Sequence, residues 1–574
     1  MTVDARTDAE VTLDALAPTH ALVKQREVTA EGGDPQVPPP AAYPEGVPSE
    51  DEYPRGLALL FILLALVLSI VMVAVDQTII ATAIPLITDE FHSVTQIGWY
   101  GSAFFLTFAS FTASWGKLFK YFPLQWTFLV AVFVFELGSL VCAVAPSSTA
   151  LIVGRALAGL GAAGIASGAF ILIAFLAPPA KRSLYLGIAG ASYGISAVIG
   201  PLLGGAFTQR LSWRWCFYIN LPFGGLAAAT LVIFFKLPPH AKPVPATFCE
   251  KMLQLDPIGI TLVMGAVVCY ILALQWGGLT RAWDSSTIIG LWVGFGLLLV
   301  AFAFAQWWLD DRAMVPPRIL RSRYVHQGML YAAAIAGSYF LTLYFLPIYF
   351  QVIDDVSPLE SGVRNLPLIV ALTLATIVSG ISITITGRPM PFMAVGGALT
   401  TIGVGLLYTL TIGSPSSKWI GYQVLTGIGV GLGLQVPVSA AQATLPPDDI
   451  PSGSAILVFM QTIGGAFLVS AGESAFESTL LKQLGATAPW IDPLQVISTG
   501  ATDVRKVFSP DDVPFILRAY VRGIQTALIV AIAVAGTCTI IAFGAKWEKM
   551  QAPPKAEEAT EAEGTEESIE SIEA

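Results

Sequence analysis

The sequence predicts an all-α polytopic membrane protein: fourteen transmembrane helices, arranged as two six-helix bundles with two further helices inserted between them. Three observations predict it. Of 574 residues, 55% are hydrophobic and only 12% charged, with a mean hydropathy of +0.70, which is a membrane composition rather than a soluble one. Crossing ~30 Å of hydrocarbon takes about 20 apolar residues, and stretches of that kind recur fourteen times. The first six and the last six also share short motifs in the same order.

The elements follow along the chain. Residues 1–52 hold eleven acids against three bases. They are rich in Pro, Glu and Ala, have little to bury, and are expected to form a disordered cytosolic tail ending at residue 56. Residues 551–574 hold eight acids against Lys555 and read the same way, within a second tail over 545–574. The net charge of −10 therefore sits in the tails, and the remainder carries +5. A nucleic-acid partner has no support. The apolar segments fall at 57–86, 96–118, 125–146, 149–176, 184–208 and 216–237, then at 257–275 and 287–308. Six more follow at 325–350, 364–385, 391–412, 418–444, 453–477 and 521–544. The sets make an N-terminal bundle over 57–237, an insert over 257–308 and a C-terminal bundle over 325–544. An extracellular loop over 478–520, mixed in polarity, is expected to form a cap of short helices. No charged-then-apolar leader opens the chain, so a cleaved signal peptide is not expected.

Basic residues orient the helices. With the N-terminal tail in the cytosol, the inner loops carry Lys117, Lys120, Lys181, Arg182, Lys236, Lys242, Lys251, Arg312, Arg318, Arg321, Arg323 and Arg388. The short outer loops carry only Arg210, Arg214, Arg281, Arg364 and Lys418. An even number of crossings then puts both tails in the cytosol. The five cysteines (Cys142, Cys216, Cys249, Cys269, Cys538) lack metal or redox spacing and read as small packing residues. The four histidines are scattered, and no nucleophile–base cluster appears. No metal, cofactor or enzyme activity is expected.

The internal repeat is legible residue by residue. Arg155-Ala-Leu-Ala-Gly159-Leu-Gly161 in the fourth segment matches Gln423-Val-Leu-Thr-Gly427-Ile-Gly429 in the twelfth. Gly204-Gly205-Ala206-Phe207 in the fifth matches Gly464-Gly465-Ala466-Phe467 in the thirteenth, and Pro85 in the first matches Pro347 in the ninth. The copies differ in charge. Arg155 corresponds to neutral Gln423, and Asp76 in the first segment has no acidic counterpart in the ninth.

These charges are the candidate chemistry. Asp76 lies about 28 Å along its helix from Leu57, and Arg155 about 9 Å from the outer end of its own, so the two depths are compatible. Glu136 in the third segment falls nearer the midplane. Burial raises a carboxylate's pKa and a nearby arginine lowers it, a balance suited to proton coupling. A static ion pair or a snorkelling side chain is the alternative. A second constellation is Gly187–Phe207. Here Pro201 removes a helix hydrogen bond and Gly200 makes room for a kink, while Gly190, Gly194, Gly204 and Gly205 offer a smooth face. It reads as a hinge that also seals a cavity, or as close packing alone. Gln435 and Gln461 are candidates to line a substrate cavity, with Gln442 and Glu473 nearer helix ends. Such amides can equally bridge helices.

Together these motifs resemble the major facilitator superfamily, and within it the fourteen-helix drug:proton antiporters. Asp76-Gln-Thr-Ile-Ile with Ala83-Ile-Pro85 resembles that family's first-helix motif, and Arg155 to Gly164 its fourth-helix motif. Gly200-Pro201-Leu-Leu-Gly204-Gly205 resembles its exporter motif, and Trp213-Arg-Trp-Cys-Phe-Tyr-Ile-Asn220-Leu-Pro222-Phe-Gly224 the segment opening helix six. One departure stands out: Gly116-Lys-Leu-Phe-Lys120 puts a lysine where the family's loop has aspartate, which puts that loop's charge-relay role in question. This form of the loop is similar to that of fungal toxin-efflux pumps. The resemblance implies a monomeric antiporter of protons and a small molecule, exporting an amphipathic toxin, secondary metabolite or drug across the plasma membrane, or into a vacuole. Uptake of a nutrient or siderophore is the alternative within transport, and a non-transporting receptor the alternative outside it.

Overall fold

The computed structural model describes residues 53–91, 97–236, 241–499 and 504–544. Residues 1–52 and 545–574, which carry both acidic tails, lie outside them. The described regular structure is helical, apart from one isolated bridge between Gly277 and Arg281. The first half comprises α1 (Gly56–Phe91), α2 (Ile97–Tyr121), α3 (Leu124–Ala143), α4 (Ser148–Leu176), α5 (Pro179–Arg210) and α6 (Asn220–Phe234). The insert is α7 (Pro257–Trp276) and α8 (Ser286–Leu309). The second half comprises α9 (Arg323–Ile353), α10 (Leu366–Thr386), α11 (Met390–Tyr408), α12 in two pieces (Ser416–Gly433 and Val436–Thr444), α13 (Ile450–Thr487) and α14 (Val513–Phe543). The end at which α1 starts is the basal end, and the opposite one the distal end.

Among the described residues, thirteen helical stretches are long and apolar enough to cross a membrane. Of the fourteen expected crossings, α2 is the one not among them. Its Ser102, Thr107, Ser110, Thr112, Ser114, Lys117 and Lys120 lower its hydropathy. Its 25 residues nevertheless make a rod of about 37 Å, packed between α4 and α13.

The packing repeats between halves. α4 lies on α2 and α3, and α12 lies on α10 and α11; α1 lies on α5 and α6, and α9 lies on α13 and α14. The shared glycines explain why. A Cβ on Gly159 would run into the Phe104 carbonyl of α2, and one on Gly427 into the Leu368 carbonyl of α10. Gly161 meets the Phe135 nitrogen of α3 as Gly429 meets the Thr400 nitrogen of α11. Such close approach is open only to the smallest residue. The halves join along two equivalent seams, α5 on α10 and α13 on α2.

The insert straddles the second seam. α7 and α8 pack on each other, with α7 against α2 and α13. The Tyr270 ring stacks on Phe467 of α13 at 4.2 Å, and its hydroxyl donates to the Phe467 carbonyl at 3.0 Å. Asp256 caps α7 from the left-handed region at φ 52°, ahead of Pro257 in the first turn. Its carboxylate accepts from Gly259 N, Gln306 Nε2 and Met314 N, fastening α7, α8 and the following loop together. The outer face of α8 leaves Val300, Phe304, Trp307 and Trp308 exposed, a surface for lipid with tryptophans at its basal end.

Segment 478–520 is mostly helix. α13 continues to Thr487 and α14 begins at Val513, and among the described residues between them Pro493–Ser498 and Val504–Val507 are helical. Leu480 and Leu484, one turn apart, are buried on the extension of α13. Hydropathy falls where the surrounding lipid would end, whereas the helix continues because it still has an apolar stripe to cover.

Candidate functional site

The buried charges meet in the distal part of the first half. Asp76 stands twenty residues into α1, about 30 Å from its start. Arg155 stands two turns into α4, whose N-terminus is capped by Ser147. Arg155 Nη1 lies 2.5 Å from Asp76 Oδ2, and both side chains are fully buried. Arg155 Nε donates to the Tyr100 carbonyl of α2 at 3.0 Å. The guanidinium lies over the Phe104 ring at 4.5 Å and the Phe217 ring at 5.9 Å, a geometry that attracts a cation. Arg155 Nη2 has no hydrogen-bond partner among the described residues. The pair is therefore monodentate, with one donor to spare.

The other carboxylate oxygen is held from a direction that was not singled out in the sequence. Asn220 Nδ2, at the start of α6, donates to Asp76 Oδ1 at 3.1 Å and to Ser139 Oγ of α3 at 3.0 Å. A one-turn helix, Trp215–Tyr218, delivers Phe217 and then Asn220 to this spot. It is anchored distally by Glu90 of α1, which accepts from Trp213 Nε1 at 2.7 Å and from both Arg214 terminal nitrogens. Glu136 stands one turn before Ser139 on α3. Both of its oxygens are buried without a hydrogen-bond partner, against Gly224 of α6, where a Cβ would overlap the carboxyl. Isolated anions are costly in such surroundings and neutral carboxyls much less so. The structure thus brings Asp76 and Arg155 into contact and places Glu136 one turn from Ser139, which shares the Asn220 amide with Asp76.

The equivalent position in the second half holds no pair. Gln423 is fully buried, and neither amide atom has a hydrogen-bond partner among the described residues.

α5 carries the glycine constellation between α1 and α10. It runs as one helix with Pro201 inside it. A Cβ on Gly200 would collide with the Thr78 hydroxyl of α1, two residues from Asp76. Gly194 faces Leu372 and Thr373 of α10, where a Cβ would lie 3.2 and 3.3 Å away. Gly204 is buried and its carbonyl accepts from Thr208. A Cβ on Gly205 would meet nothing within 4 Å. Beside Gly194, Tyr193 donates to Gln77 Oε1 of α1, and its ring meets Phe340 of α9 edge-on. This contact runs from the neighbour of Asp76 to the other half.

The amides of the second half cluster at the break in α12. Pro437 cannot donate to the Gly433 carbonyl, and its ring crowds that turn, which accounts for the break at 434–435. Gln461 of α13 donates to the Leu434 carbonyl at 2.8 Å. Gln435 packs on Gly190 of α5, where a Cβ would come within 2.7 Å of its side chain, and its Oε1 is buried without a partner. Gln442 donates to Phe170 O of α4 and to Ser454 Oγ, tying the halves together. Glu473 accepts from the Tyr344 hydroxyl at 3.3 Å.

At the basal end the halves are bolted by charge. Lys120 Nζ lies 3.1 Å from Asp449 Oδ1, between α12 and α13, and Arg318 grips the same carboxylate at 2.6 and 3.0 Å. Lys117 reaches the insert, donating to Gln254 Oε1 at 3.2 Å and to the Asp311 carbonyl at 2.5 Å. Arg182 of α5 donates to the Gln442 carbonyl at 3.1 Å. The lysine found where the family's loop has aspartate thus has a carboxylate partner, supplied by the other half.

The family pattern described as Major Facilitator Superfamily matches residues 66–469. The chain belongs to the major facilitator superfamily. Among its relatives, the MFS-type transporter grgE of a Penicillium species is 47% identical over 534 residues, covering 93% of this chain and 94% of that one. The probable efflux pump gsfJ of Penicillium aethiopicum is 48% identical, covering 88% and 90%. Among solved structures, the proton:xylose symporter XylE superposes with a TM-score of 0.56 at 13% identity, over 86% of this chain and 97% of that one. At that identity the likeness speaks for the fold alone.

Proposed function

We propose that the chain is a proton-coupled efflux transporter, an antiporter exporting an amphipathic small molecule such as a toxin, secondary metabolite or drug by alternating access. The observation that carries this reading is the Asp76–Arg155 pair, buried in one half while its repeat counterpart is neutral Gln423. The fold does not need the pair, since the second half builds the same packing without it. With Asp76 ionised, Arg155 is held; a proton on Asp76 removes the charge that holds it. That difference between two states is what a coupling ion must supply. Glu136, buried and unbonded one turn from Ser139, is the second proton-exchanging group. Gln435 and Gln461, at the break in α12, face the cargo. Gly194, Gly200, Pro201, Gly204 and Gly205 form the hinge of α5.

The two bundles rock about the cavity between them, with Lys120, Asp449 and Arg318 closing the basal end as an inner gate. The names of the relatives, efflux pump among them, support the outward direction. The basic residues of the basal loops support a cytosolic basal end; the location proposed is the plasma membrane, with the vacuolar membrane as the alternative. The transporter works as a monomer. The test is a toxicity panel in a pump-deficient strain. Asp76→Asn and Arg155→Ala should each abolish the resistance conferred by the wild type while the protein stays in the membrane. Wild-type resistance from both variants overturns the coupling assignment.

A further inference from the structure

Resting on that reading, we propose that Asn220 is the positioning residue of the coupling site: it holds Oδ1 of Asp76 and so turns Oδ2 to Arg155. The argument starts from what an amide nitrogen can do. Nδ2 of asparagine donates two hydrogens and accepts none. Both are spent here, one on Asp76 Oδ1 and one on Ser139 Oγ. Asn220 is itself buried, and Ser139 is fixed in the last turns of α3. Oδ1 is thereby held by a donor whose two hydrogens are both engaged.

Oδ2, the other oxygen, is left facing Arg155 Nη1 at 2.5 Å. A proton taken by the carboxylate forms an O–H bond and leaves a neutral carboxyl beside a still cationic Arg155, which keeps its bond to the Tyr100 carbonyl. Without the amide the carboxylate keeps one donor of two and is free to turn about its Cβ–Cγ bond, so that Oδ2 is no longer presented to Arg155.

The groups that face Asp76 are few. α2 presents the Tyr100 carbonyl through Arg155, α3 presents Glu136, Ser139 and Cys142, α4 presents Arg155, the one-turn helix before α6 presents Cys216, and the start of α6 presents Asn220. Asn220 is the one among them that binds Asp76 without bearing a charge.

The experiment is a pH titration of the purified full-length protein by infrared difference spectroscopy, following the carbonyl-stretch band of protonated Asp76. The band is assigned by its loss in Asp76→Asn. Asn220→Leu has nearly the same shape as asparagine but no donor. Losing a hydrogen bond to a charged group, ~1.5–3 kcal/mol, should raise the Asp76 midpoint by about one to two pH units. Ser139→Ala releases the amide's other anchor without touching Asp76, and should move the midpoint the same way by a smaller amount. It also serves where Asn220→Leu fails to fold. A purely structural role would lower the melting temperature and leave the midpoint in place. Midpoints unmoved in the folded variants, with the band still lost in Asp76→Asn, overturn the positioning role alone. A band that persists in Asp76→Asn overturns the coupling reading itself.

Discussion

The basal bolt is the most exacting test of the alternating-access reading, because it joins residues 329 positions apart. The perturbation is Asp449→Asn. It keeps the shape and removes the charge that holds Lys120 at 3.1 Å and Arg318 at 2.6 Å. The Asp449 side chain is 4% exposed and that of Lys120 13%, so removing the acid strands a mostly buried ammonium. Breaking a buried pair from one side costs about 3–5 kcal/mol, whereas a surface pair is worth ~1 kcal/mol or less. Arg318 is half exposed and keeps a second tie to Asp311 at 3.1 Å, so its share lies at the low end. With the acid buried and its two basic partners reached in part by water, the loss falls between those limits, at roughly 2–3 kcal/mol in favour of the basally open state. At about 1.4 kcal/mol per factor of ten, the opening equilibrium rises ~30- to 140-fold. Hydrogen–deuterium exchange reads it directly. Peptides covering 116–121 and 445–455 should exchange faster by that factor, while distal peptides of α1 and α4 should not change. Unchanged basal exchange, or a uniform increase over the whole chain, would refute the gate.

Two further outcomes follow from the packing and from the distal cap. Gly161→Ala drives a Cβ into the Phe135 backbone and should destabilise by ~1–3 kcal/mol, whereas Gly205→Ala, facing open space, should leave the melting temperature of the purified protein unchanged. Asp512 accepts from Trp490 Nε1 at 2.8 Å and from Ser509 Oγ at 2.7 Å, and these bonds hold its carboxyl below the ordinary 3.8. A depressed folded value means that the contribution is present above the ordinary range and lost as pH falls through the lowered one. Hydrogen exchange over 488–512 should therefore rise on acidification below about pH 4, and Asp512→Asn should remove that pH dependence.

Much of this was legible in the sequence, for identifiable reasons. The bilayer demands long apolar helices, so the crossings show in hydropathy alone, and the repeat shows in glycines because close backbone contact excludes every other residue. Asp76 and Arg155 stand out because charge is rare in such helices. Asn220 did not, since an asparagine opening a helix is ordinary and its partners come from two other helices. Lys120 looked like the loss of a function because its partner, Asp449, lies in the other half of the chain. The bond from Gln461 to the Leu434 carbonyl was not legible, because it depends on the break in α12 beside Pro437. The thirteenth helix was drawn ten residues short because hydropathy measures the lipid boundary, whereas Leu480 and Leu484 still give the helix a surface to pack on.

The insert makes the molecule one-sided. α2–α13 and α5–α10 are equivalent seams by the internal symmetry, yet α7 and α8 lie over the first. Lys117 fastens them from one flank, and Tyr270 fastens them to the other. Among the described residues no comparable helix pair lies over the α5–α10 seam. A molecule dissolved in the bilayer therefore meets a shuttered wall on one flank. On the other it meets a single joint, where Gly187 and Gly380 let the backbones of α5 and α10 come into contact.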